Sequence, residues 1–128
     1  MPVYDLSALA EAFDTDAKQL DNILSRNEIA GVERRTRGVT RRVTLDAAVN
    51  IRVALDLAGD LGVPFARALR AAARLAADGG VVRVGEFASL HVDAGALRRS
   101  TLERLDSAVE TVGKRPRGRP PKTVRSDG

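Results

Sequence analysis

Three capping signals divide the first half of this chain into helices. Asp5 stands before Leu6, Leu9, Ala10 and Phe13, the i, i+3, i+4, i+7 spacing of one apolar helix face. Asp16 opens a second stripe, Leu20, Ile23 and Leu24, with Gln19 completing a capping box, and that helix is expected to end near Asn27. Thr44 precedes Leu45, Ala48, Val49, Ile51, Val53, Leu55, Leu57 and Leu61, an apolar face too wide for a surface helix and so expected at the centre of the core. Gly62 ends it, and Pro64 opens another helix with Phe65, Leu69, Ala72, Leu75 and Ala76 facing inward, until Asp78-Gly79-Gly80 stops it. The opposite stripe, Arg67, Arg70 and Arg74, reads as a solvated face.

Over residues 81 to 93 the period changes. Val82 and Val84, then Leu90 and Val92, alternate with polar neighbours around Gly85-Glu86, which predicts a short hairpin with His91 on its polar side. A last helix from about Ala94 carries Leu102, Leu105, Val109 and Val112. This short heptad seam could pair with a second copy or pack on its own domain. With only four aromatics, Tyr4, Phe13, Phe65 and Phe87, the core must be aliphatic and rich in alanine.

The absence of cysteine removes disulfides, thiolate metal sites and cysteine nucleophiles, and a single histidine leaves no basis for a histidine metal site. No cofactor is expected. There is no glycine-rich phosphate loop, no strand-Ser-helix elbow and no His-Glu metal spacing, so the chain does not read as an enzyme. No run approaches the roughly 18 apolar residues of a membrane span, and the start lacks a basic signal region. The expectation is a soluble cytoplasmic protein without a membrane partner.

Charge is unevenly placed. Residues 113 to 128 hold six bases and one acid, whereas the other 112 residues hold 15 bases and 16 acids. A basic tail on a near-neutral body points to a polyanionic partner for the tail. Gly113 to Lys122 contains nothing that can form a core, and Pro116, Pro120 and Pro121 favour an extended chain, so the tail is expected to be disordered until bound. Its centre, Arg117-Gly118-Arg119-Pro120, flanked by Lys114, Arg115 and Lys122, resembles the AT-hook of architectural DNA proteins. The resemblance implies that Arg117 and Arg119 lie in an A·T minor groove. Such a groove is narrow and strongly negative and presents only acceptors, while a G·C pair adds an amino group in the way. Gly118 lets the backbone sink between the arginines, and Lys114, Arg115 and Lys122 would meet phosphates. Arginine-rich segments also fold on RNA, which stays a rival partner for the tail.

Between Ile29 and Thr44, β-branched residues interrupted by Gly38 read as two strands joined by a turn. Five arginines, Arg34, Arg35, Arg37, Arg41 and Arg42, fall in nine positions with no intervening acid. Two short helices and a basic hairpin follow the plan of a winged helix-turn-helix, with the hairpin on phosphates and helix 2 in the major groove through Lys18, Gln19 and Asn22. The alternative is an exposed hairpin whose arginines merely keep an edge strand from aggregating.

Residues 5 to about 76 resemble the DNA-binding domain of MerR-type regulators. The corresponding stretches are Gln19-Leu20-Asp21-Asn22-Ile23-Leu24, Glu28-Ile29, Arg37-Gly38, Arg41 to Thr44 and Leu61-Gly62. Asp21 and Asn22 stand where that family carries Arg and Tyr, so the wing arginines carry the resemblance.

The fold class expected is therefore mostly α with small β-hairpins. A MerR-like winged body over 1–78 is followed by a hairpin and helix over 79–112 and a disordered AT-hook tail over 113–128. The leading function is a transcriptional regulator on double-stranded DNA, with A·T-rich sites preferred, a homodimer as the expected assembly and the nucleoid as its place. Two other readings stay open: an architectural, nucleoid-associated protein, or an adaptor whose body binds a protein partner while the tail holds DNA. Asp21 and the net negative body favour the adaptor.

Overall fold

The computed structural model describes residues 3–33 and 41–114. Mostly helical, it has five helices and two small antiparallel strand pairs among the described residues: β1 (Val3–Asp5), α1 (Leu6–Ala12), α2 (Ala17–Arg26), β2 (Arg42–Thr44), α3 (Leu45–Leu61), α4 (Phe65–Ala77), β3 (Val81–Val84), β4 (Ala88–His91) and α5 (Ala94–Lys114).

The helix starts follow the capping residues. The Asp5 carboxylate accepts from the Ala8 amide at 3.0 Å, Asp16 from those of Lys18 and Gln19 at 2.7 and 3.3 Å, and the Thr44 hydroxyl from that of Ala47 at 3.2 Å. Each satisfies donors that the first helical turn leaves without partners. Gly62 closes α3 at φ 68°, as its place after the last apolar residue predicts.

The turn between α1 and α2 is tighter than its sequence announces. Thr15 donates to the Ala10 carbonyl at 2.9 Å across Asp14, which takes the left-handed conformation at φ 54°. This is a Schellman closure with aspartate where glycine is usual. Asp14→Gly is therefore expected to raise stability by about 1 kcal/mol, read from urea denaturation. A lower stability would show that the Asp14 side chain holds the turn in a way its backbone does not require.

The core is aliphatic and continuous. Leu9, Leu20, Val43, Ile51 and Leu105 are fully buried, joined by Ala8, Ala47, Ala48 and Ala108, while Tyr4 adds a ring at the margin. Residues 79–112, read from sequence as an extension, share this cluster through Leu105 and Ala108, and α5 packs along both α1 and α3. The Tyr4 hydroxyl donates to Asp106 at 3.3 Å, tying β1 to α5. Burial first, then the charge of Asp106 and this hydrogen bond, raises the Tyr4 pKa above its ordinary value, so the donor persists into alkali.

Two residues expected to face inward are exposed, Leu61 at the end of α3 and Ala76 near the end of α4, each in the last turn of its helix where the neighbouring element has already turned away. Three further expectations change. First, β2 pairs principally with β1, in the register Val3 to Thr44, Tyr4 to Val43 and Asp5 to Arg42, a pairing that local pattern does not announce. Residues 31–33 flank β2 on its other side through a Val32–Val43 bridge, with Glu33 donating to the Arg42 carbonyl and Thr44 to that of Gly31, both at 2.9 Å. The expected hairpin thus survives at its base, while residues 34–40, its turn, lie outside the described residues. Second, the buried row of α5 is Thr101, Leu105 and Ala108, and Val109 of the heptad seam is 47% exposed. Third, α5 runs on through Gly113 to Lys114. Lys114 is also the last of the described residues.

Candidate nucleic-acid interface

Helix α2 divides cleanly into two faces. Leu20 and Leu24 are buried and Ile23 is half-buried, whereas Lys18, Gln19 and Asn22 are exposed. Their spacing, i, i+1 and i+4, places all three on the side away from the core. Arg26, which the sequence pattern alone did not single out, is also exposed, four residues beyond Asn22. The signal was present as a continuation of the same helical row, Lys18, Asn22 and Arg26, one base at each end.

The arginines of the basic segment do not behave as one group. Arg42 is exposed on β2. Arg41 was expected among the solvent-facing wing residues, yet it is only 8% exposed and points at α2. Its Nε donates to Asp21 Oδ1 at 2.8 Å, its Nη2 to Ser25 Oγ at 2.8 Å, and its Nη1 to the Glu33 carbonyl at 3.4 Å. One guanidinium, from the residue just before β2, thus reaches Asp21 and Ser25 on α2 and the Glu33 carbonyl beside β2. A planar fork of donors suits this role in a way a lysine does not. The arrangement also accounts for Asp21: the acid in the middle of α2 is the counterion of Arg41.

Residues 34–40 leave and rejoin the body at adjacent points, since Glu33 is bonded to Arg42. Arg34, Arg35 and Arg37 belong to this segment and lie outside the described residues. So do Arg115, Arg117, Gly118, Arg119, Pro120 and Lys122 of the tail, while Lys114 is the last residue of α5.

Elsewhere, Ser89 Oγ and His91 Nε2 lie 2.9 Å apart, both exposed. Their separation of two residues on one strand accounts for the contact. Among the described residues no group of three or more His, Cys, Asp or Glu side chains gathers to hold a metal ion, and no helix is long and apolar enough to cross a membrane. Comparisons with models of protein families, with curated proteins and with solved structures give no match to this chain.

Proposed function

We propose that the protein is a double-stranded DNA-binding regulator with two elements. The body docks as a winged helix-turn-helix, with α2 in the major groove and the basic segment on phosphates, and the AT-hook tail takes an adjacent A·T minor groove. The observation that carries this reading is the linkage from the buried Arg41 to Asp21 and Ser25 of α2. It couples the exposed row Lys18, Gln19, Asn22 and Arg26 to the base of the arginine segment, so both meet a duplex as one preorganised surface. The same linkage weakens the adaptor reading, because the acid that favoured it is already paired within the fold. Tethering the hook to the body raises its effective concentration at the neighbouring groove, so two weak contacts bind usefully together.

The test compares binding of the full-length protein with that of two sets of variants, on A·T-rich and G·C-rich duplexes over a salt series. Arg117→Ala and Arg119→Ala are each expected to weaken binding to the A·T-rich duplex by about 1–3 kcal/mol. Replacing Arg34, Arg35, Arg37 and Arg42 by Ala should weaken binding to both duplexes and flatten the salt dependence by about 0.9 in slope for each phosphate that is no longer neutralised. Binding that survives the hook substitutions unchanged removes the tail from the account. If the second set changes nothing, the body has another partner and the adaptor reading takes over. A uniform response across unrelated A·T-rich duplexes would instead mark an architectural protein.

A further inference from the structure

The hairpin formed by β3 and β4 carries an uncovered aromatic. Phe87, at its turn, is 96% exposed and Val84 is 49% exposed, whereas Tyr4 is buried and Phe13 and Phe65 are half-buried. Phe87 is the most exposed of the large apolar side chains among the described residues. At the opposite end of the same hairpin, where α3, α4, the hairpin base and the start of α5 meet, lies an apolar cleft of about 380 Å³. Its walls include Val49, Val53, Ala72, Leu75, Val92 and Leu97. Protein interiors seldom leave voids larger than a water molecule, and a cavity of about 150 Å³ already accepts benzene. Asp46 and Arg98 also line the cleft but are paired with each other, so the pair presents little net charge to an apolar guest.

We propose that two copies of this chain associate hairpin to hairpin, each seating Phe87 in the apolar cleft of the other. Phe87 is kept from its own cleft because five residues of extended strand, about 17 Å, separate it from Val92 on the cleft wall. Two β4 strands set side by side and antiparallel bring the turn of each copy to the base of the other. A single two-fold axis therefore fills both clefts at once.

The edge of β4 is suited to this pairing. The Val92 amide donates to the Gly80 carbonyl at 2.8 Å, which sets the phase of the ladder so that Ser89 and His91 turn their backbone groups outward. The described sheet stops at two strands, and β4 reads Ala88-Ser-Leu-His91, without the formal charge or proline that commonly blocks an edge. Its partner strand β3 carries such a charge in Arg83. The chain's own tail is a poor occupant, since residues 113–128 offer no aromatic side chain and Val124 alone as an aliphatic one beyond proline. Each tip withdraws roughly 300 Å² from water and covers a similar area of the receiving wall, so two tips bury about 1,200 Å² in all, the lower end for a specific pair. A dimer of this size assembles measurably with concentration.

The test uses the full-length protein without DNA, followed by sedimentation velocity over a wide concentration range. A monomer–dimer equilibrium is expected, and Phe87→Ser is expected to loosen it about 100-fold or more, because both copies lose an anchor together. The thermal unfolding of dilute Phe87→Ser protein should match that of the dilute parent, since Phe87 is exposed in the single chain. Phe87→Trp supplies the only tryptophan, and its emission should move to the blue as concentration rises. As the chain has no cysteine, Phe87→Cys with Ala76→Cys, the second on the cleft lining, should yield disulfide-linked dimers under mild oxidation. A monomer at every concentration overturns the proposal and leaves the cleft to a foreign ligand. A dimer as tight in Phe87→Ser as in the parent, or one that forms while the Phe87→Trp emission stays fixed, overturns it as well.

Discussion

Arg41→Met is expected to lower the stability of the fold by about 3 kcal/mol, because it strips a mostly buried carboxylate of its guanidinium while keeping most of the stem that packs beside it. Asp21 is only 17% exposed and Arg41 only 9% by side chain, so water replaces the lost partner poorly. Ser25 and the Glu33 carbonyl lose a donor in the same step. The measurement is the urea midpoint of Arg41→Met, Asp21→Asn and the pair together. Strong coupling is expected, with the double variant less damaged than the sum of the singles. Additive losses would show that the two side chains act independently. An Arg41→Met protein as stable as the parent but weaker on DNA would return Arg41 to the group of phosphate-binding arginines.

Leu105→Ala is expected to cost about 3–4 kcal/mol, the loss from a fully buried leucine in a core whose backbone elements cannot close over the space. Leu105 sits in the cluster of Leu9, Leu20 and Ile51, so its removal loosens α5 from α1 and α3 together. Val109→Ala is the comparison, with an expected cost below about 1 kcal/mol because that side chain is 47% exposed. If the heptad seam were the working face of α5, the two substitutions would weaken the same association to similar degrees. Unequal costs in dilute protein mark a helix docked on its own chain.

Helices and their ends were legible because their causes are local. Asp5, Asp16, Thr44 and Gly62 act within one turn of where they stand, and the apolar spacing of α1 and α2 names their inward faces, while on α4 Ala72 and Leu75 are buried as expected but Ala68 is buried in place of Ala76. What could not be read locally depended on partners far along the chain. Val3–Asp5 shows no strand alternation long enough to notice, and it becomes a strand only because Arg42–Thr44 lies beside it. Arg41 looked like its neighbours in sequence, and only a carboxylate 20 residues earlier sets it apart. In α5 the heptad spacing of leucines and valines does not name Thr101 and Ala108, which are buried by distant partners: Ala108 joins the cluster of Ala8 and Ala12, and the Thr101 hydroxyl accepts from Arg52 of α3 at 2.9 Å. Of the candidate interface, Lys18, Gln19, Asn22 and Arg42 are exposed as their pattern suggested, and the hook and the wing turn remain readings of sequence.

The clasp between the first and last described elements bears on the order in which the molecule can form. Tyr4 and Asp106 are 102 residues apart, and Leu105 completes a core that Leu9 begins. A chain growing from its amino end must therefore carry Leu9 and Leu20 partly unsheltered until residues 105 and 108 are available. Closing so long a loop comes before most of the burial that rewards it. Helix α1, against which α2 packs, thus lacks its last wall until late in synthesis, and over that interval its apolar face is open to chaperones. The surface proposed to meet DNA thus rests on α1, a helix whose other side is closed only by residues from the far end of the described chain.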